Sequence, residues 1–131
     1  VKRRYFREIP QEKRLEAAAT AIGWGYSREI PEAEECHWFS WGEDSLAWLQ
    51  PGPPESEAPV LSLHACRAPD AETRGVADIE RTKMALEVVA ELLGAEYLAV
   101  ILDPGSTAIR KALVSRGWDE NESGCWKQLG S

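Results

Sequence analysis

Two histidines and three cysteines are the side chains of this sequence best suited to proton transfer, nucleophilic attack or metal binding near neutral pH. His64 is the most pointed of them. It lies in an alternating run, residues 60–67, whose period of two puts Val60, Ser62, His64 and Cys66 on one strand face and Leu61, Leu63 and Ala65 on the other. An imidazole is the one group on that run that exchanges protons near pH 7, which makes His64 the candidate general base. The structural alternative is a half-buried strand histidine bonded to a neighbour. Cys66, two residues on, does not complete a nucleophile–base pair, because strand positions i and i+2 stand roughly 6–7 Å apart. His37 follows Cys36 directly, so on a strand the two point to opposite faces. The cysteines are odd in number, widely spread and free of any C-x-x-C pair. That pattern predicts reduced, largely buried thiols rather than a disulfide framework, and no metal site.

A second candidate is the stretch RGVADIE, residues 74–80, at the opening of a long helical pattern. Bare backbone N–H groups and the positive end of a helix dipole converge at such a place and attract anions. Asp78 and Glu80 bring carboxylates of their own to the same turn, and Ile79 is bulky. An anion cradle and an ordinary acid-capped helix start both fit these residues.

The elements that must carry these groups follow from period and punctuation. Residues 3–9 suit a partly exposed first strand, and Pro10 opens a helix in which Leu15, Ala18, Ala19 and Ile22 recur at helical spacing before Gly23 stops it. Residues 36–41 and 45–50 read as a hairpin turning at Gly42, Glu43 and Asp44. Trp38, Trp41 and Trp48 load it, either as packing or as partner contacts. Residues 51–59, with four prolines, form a loop. The long helix covers residues 78–93, with one apolar face at Ile79, Leu86, Ala90 and Leu93 and a second at Ala85, Val88 and Leu92. Glu80, Glu87 and Glu91 form its polar stripe. Two apolar faces predict cover on more than one side, from this chain or from another subunit. Residues 97–102 lack alternation, as in a central strand. A helix follows to residue 116, with Ser106 as N-cap and Gly117 as stop, and a polar turn at residues 121–124 closes a last strand pair.

With 131 residues and 44% hydrophobic content the chain is the size of a single domain, residues 1–131. Its net charge of −7 argues against a nucleic-acid partner, and the lone basic cluster of Lys2, Arg3, Arg4 and Arg7 reads as a solvated strand edge. No apolar run is long enough for a membrane span or a signal peptide, which predicts a soluble, cytoplasmic protein.

The succession of loop, long helix, apolar strand, Pro-Gly break, helix and Gly-Trp stop in residues 74–118 resembles the acetyl-CoA-binding half of the GCN5-related N-acetyltransferase (GNAT) superfamily. That resemblance implies an α/β (α+β) fold: a central mixed, mostly antiparallel twisted sheet of about six to seven strands flanked by about four helices. It implies acetyl-CoA as cofactor, with Arg74, Gly75, Val76 and Ala77 around the pyrophosphate and the backbone of Ala65, Cys66 and Arg67 along the pantetheine arm. The family's phosphate loop runs Gln/Arg-x-x-Gly-x-Gly/Ala. Here Ala77 and Ile79 replace its two small positions, and Leu113 stands where the family's proton-donating tyrosine precedes the closing aromatic by five residues. Ser115 is nearby, but a serine hydroxyl is a weak proton donor. Short GNAT-like proteins of tailed bacteriophages are similar in outline, with an Ala-Glu-Glu-Cys entry to the second strand, here residues 33–36, and a leucine for the tyrosine. That likeness implies a phage origin and a role in the virion or its assembly. Two functions follow. One is an N-acetyltransferase acting on an amine, with His64 as base. The other, favoured by the departures, is a non-catalytic or weakly active module that binds a protein partner, or itself, through aromatic or apolar helix faces.

Overall fold

The computed structural model describes residues 6–52, 59–70, 76–102 and 107–129, with side chains undescribed for 76–82. Its elements in order are β1 (Phe6–Glu8), a 3-10 turn (Gln11–Lys13), α1 (Arg14–Gly23), β2 (His37–Trp41), β3 (Ser45–Pro51), β4 (Val60–Arg67), α2 (Val76–Leu92), β5 (Tyr97–Ile101), α3 (Thr107–Ser115), β6 (Asp119–Asn121) and β7 (Gly124–Gln128). The seven strands make one mixed sheet in the order β1-β2-β3-β4-β5-β7-β6. β4 and β5 run parallel, whereas β1–β2, β2–β3, β5–β7 and β6–β7 are antiparallel.

Two compact units divide the chain. The first comprises Val1–Gln50 and His64–Lys83. Its core sets the alanines of α1, Ala17, Ala18 and Ala21, against Trp38 and Trp48, which face each other across the β2–β3 hairpin and stack at 4.5 Å. Both indoles are fully buried. Each removes on the order of 200 Å² from water, about 5 kcal/mol of transfer free energy before the entropy of ordering is subtracted. The opposite sheet face buries Phe39, Ala47 and Leu49, with Phe6 stacked on Phe39 at 5.1 Å. Tryptophans at this density leave room only for small partners. The buried side of α1 is therefore its alanine side, and of the face drawn from Leu15, Ala18, Ala19 and Ile22 only Ala18 lies on it. Leu15 and Ile22 are 58% and 59% exposed.

The second unit comprises Pro51–Leu63 and Met84–Ser131. β5 is its centre, paired with β4 on one side and β7 on the other, with Leu98 fully buried. Leu86 and Ala90 of α2, Leu113 of α3, Trp118 and Cys125 are buried in the same unit, as are Ala95 and Leu129. Glu87 leaves the expected polar stripe: it is partly buried and pairs with Lys127 of β7 at 3.3 Å. The second apolar face of α2 is not covered, for Val88 is 57% and Leu92 81% exposed, and Leu93 of the first face is 44% exposed.

One motif ends each of α1, α2 and α3. A glycine with positive φ follows each: Gly25 at +98°, Gly94 at +86° and Gly117 at +89°. The next residue's N–H reaches back to a carbonyl five residues earlier: Tyr26 to Ala21 (3.1 Å), Ala95 to Ala90 (3.1 Å) and Trp118 to Leu113 (3.1 Å). This is the Schellman arrangement, which needs a residue tolerant of the left-handed region. In α1 that residue is Gly25, whereas Gly23, the expected stop, is the last residue of the helix itself.

Candidate functional site

The Gly25 motif aims Tyr26. With its N–H fixed on Ala21, the ring packs edge-on against Trp48 at 4.9 Å, and its hydroxyl lies 3.1 Å from Nδ1 of His64 on β4. His64 stacks on the same indole at 5.6 Å and is buried. Burial in this aromatic wall, helped by the nearby Arg28 cation, lowers the imidazole pKa to about 4. At neutral pH His64 is therefore an uncharged ring sharing one proton with a phenol. A base so weak has little driving force to take a proton from an ammonium near pH 7, since proton transfer is most effective when the base titrates near the working pH.

Cys66, on the same strand, points its thiol at the Ala21 carbonyl at 3.8 Å, and burial raises its pKa. The same carbonyl accepts the N–H groups of Trp24 and Tyr26, so α1 and the end of β4 are joined at one oxygen. The partner of Tyr26 lies 38 residues away, and no local pattern announces such a bond. The glycine ahead of it is the one signal that could have marked it.

His37 lies apart from this cluster. Its Nδ1 is 3.4 Å from Arg14 Nη2, and burial, then the guanidinium, lowers its pKa. The Ala-Glu-Glu-Cys entry is a stapled turn: Trp38 Nε1 donates to the Ala33 carbonyl at 2.9 Å, and Cys36 directs its thiol toward the carbonyls of Glu32 and Pro31. Burial pushes the Cys36 thiol up to about 11, so it packs rather than reacts. Among the described residues no three His, Cys, Asp or Glu side chains are grouped to hold a metal ion, and no helix is long and apolar enough to cross a membrane.

β4 also carries Ala65, Cys66 and Arg67. Its ladder with β5 runs from Val60–Tyr97 to Leu63–Val100. Val76 and Ala77 form the first backbone turn of α2, two residues ahead of the expected start, and Arg74 and Gly75 lie outside the described residues. On α3, Leu113 is buried, and its carbonyl accepts the N–H groups of Arg116 and Trp118. The Ser115 hydroxyl donates to the Ala112 carbonyl at 2.7 Å.

Solved structures similar in fold to this chain include proteins named as acetyltransferases. An N-acetyltransferase from Staphylococcus aureus Mu50 superposes with a TM-score of 0.65 at 12% identity, over 98% of this chain and 100% of that one. AAC(6')-Iy, solved with the bisubstrate analogue CoA-S-monomethyl-acetylneamine, gives 0.64 at 15% identity, over 99% and 100%. The fold is GNAT-like. The chain also spans 32% of the length of a larger conserved protein from Enterococcus faecalis V583, named a probable N-acyltransferase, with 88% of this chain covered, a TM-score of 0.57 and 11% identity. No protein-family model matches the sequence. No curated protein matches it either. The GNAT-like sheet thus accounts for the expected α+β class, while identities this low carry the fold and not the reaction.

Proposed function

We propose that this chain is a GNAT-fold binding module that has kept the architecture without the family's proton-transfer groups, and that it is non-catalytic or at most weakly active. The observation that carries the reading is Leu113. The position that the resemblance gives to the tyrosine acid holds an apolar side chain buried in the core of its unit, and the hydroxyl of the last helical turn, Ser115, is already committed to Ala112. A thiolate leaving from a thioester needs a proton or a donor dipole at that point, and no group at Leu113 supplies one. The depressed pKa of His64 points the same way. A role within a virion or its assembly, as the phage likeness suggests, is one setting in which such a module works through partners.

The second reading is an acetyl-CoA-dependent N-acetyltransferase. It is favoured by the GNAT-like fold itself, whose solved counterparts include one bound to a CoA bisubstrate analogue. Under it Arg74, Gly75, Val76 and Ala77 would hold the pyrophosphate and His64 would serve as base. Calorimetric titration with acetyl-CoA separates the two: micromolar binding supports the enzyme, and no heat at millimolar ligand supports the module.

A further inference from the structure

The outer side of α1 is built the wrong way round for a helix that serves only the core. Its alanines face inward, while its two largest apolar side chains, Leu15 and Ile22, are each more than half exposed, with Ala19 exposed between them. Spacings of four and three residues put Leu15, Ala19 and Ile22 on one stripe about two turns long. Exposed Glu16 stands about 100° around the axis from Leu15, and exposed Glu12 precedes the helix in the 3-10 turn, so carboxylates border the stripe on one side. Further along the same unit the stapled turn exposes Glu32, Glu34 and Glu35, and Arg14 Nη1 holds it to the first turn of α1 through the Glu34 carbonyl at 2.8 Å.

We propose that this face of α1 docks an amphipathic helix of a partner protein, apolar on the contacting side and rimmed by lysine or arginine. Anchors at i, i+4 and i+7 are the spacing by which one helix lies along another. The acidic rim selects the charge of the occupant, because opposite charges at the edge of an apolar contact speed association and exclude like-charged partners. A second copy of this chain does not suit the face, because it would bring the same carboxylates and the same −7 charge. This inference names the partner class for the binding-module reading and rests on it.

The test is fluorescence anisotropy with a labelled two-heptad Leu/Lys helix and its Leu/Glu counterpart as probes. The native chain is expected to bind the Leu/Lys helix at least about tenfold more tightly than the Leu/Glu helix. The Leu15→Asp/Ile22→Asp variant adds two negative charges, so attraction by charge alone predicts tighter binding, whereas docking on the stripe predicts about tenfold weaker binding. Val88→Asp on the exposed face of α2 is the control and should leave affinity unchanged. Circular dichroism confirms that each variant is folded. Equal affinity for the two probes, undiminished binding by the α1 variant, loss of binding by the Val88 variant, or a native dimer that the α1 variant dissociates would each overturn the proposal. Acetyl-CoA turnover with helix binding intact would remove the module reading and leave the docking face standing.

Discussion

Acid should destabilise this protein through His64, and by an amount that the structure sets. Its imidazole falls from an ordinary 6.5 to about 4 in the folded chain because it is buried against Trp48 and near Arg28. The unfolded chain thus takes up a proton at a pH where the folded chain refuses it. The associated stability is fully present above pH 6.5 and is lost as the pH falls toward 4. A depression of this size corresponds to roughly 3 kcal/mol across that window. The effect is isolated by comparison with His64→Phe, which keeps a ring against Trp48 but binds no proton. Urea unfolding of both proteins, followed by tryptophan fluorescence at steps from pH 7 to pH 4, measures it. The native chain is expected to lose about 3 kcal/mol more than the variant over that range. Parallel curves would mean that His64 is not held neutral by its surroundings, and the argument from its weak basicity would fall.

Two further substitutions test the packing. Ala21, fully buried on the face of α1 beside the tryptophans, has no room to grow, so Ala21→Leu should cost about 1–3 kcal/mol, whereas Ile22→Ala next to it should change stability by less than about 0.5 kcal/mol in chemical denaturation. Gly124 opens β7 at φ +156° with the Val100 carbonyl oxygen where a Cβ would sit, and Gly124→Ala should therefore cost at least about 2 kcal/mol and lower the melting temperature by several degrees.

What could be read from the sequence divides along a physical line. The hairpin, β4, the central β5 and the end of α3 were legible because each is announced locally, by alternation, an unbroken apolar run or a glycine at a turn. Residues 97–102, for example, supply β5 almost to the residue. The faces of the helices were legible only in part: Leu86 and Ala90 of α2 are buried as expected, whereas the face of α1 is not the expected one. A pattern count ranks Leu15 and Ile22 above the alanines, but the indoles of Trp38 and Trp48 decide which face fits, and they belong to elements distant in sequence. Gly23 looked like a stop, whereas the chain runs two residues further before Gly25 takes the left-handed turn that delivers Tyr26 to His64. Glu87 appeared to be part of a solvated stripe until Lys127, forty residues on, drew it toward the sheet. Of the site, His64 was named from its strand position and Leu113 from its spacing to Trp118, while the bond that occupies His64 came from the fold alone.

The most direct measurement is calorimetric titration of the native chain with acetyl-CoA. A GNAT-like fold with Leu113 where the resemblance puts the acid, and with Asp78 and Glu80 at the opening of α2, is predicted to give no heat of binding up to millimolar coenzyme. Saturable binding at micromolar acetyl-CoA, with free coenzyme A appearing when an amine is added, would contradict it.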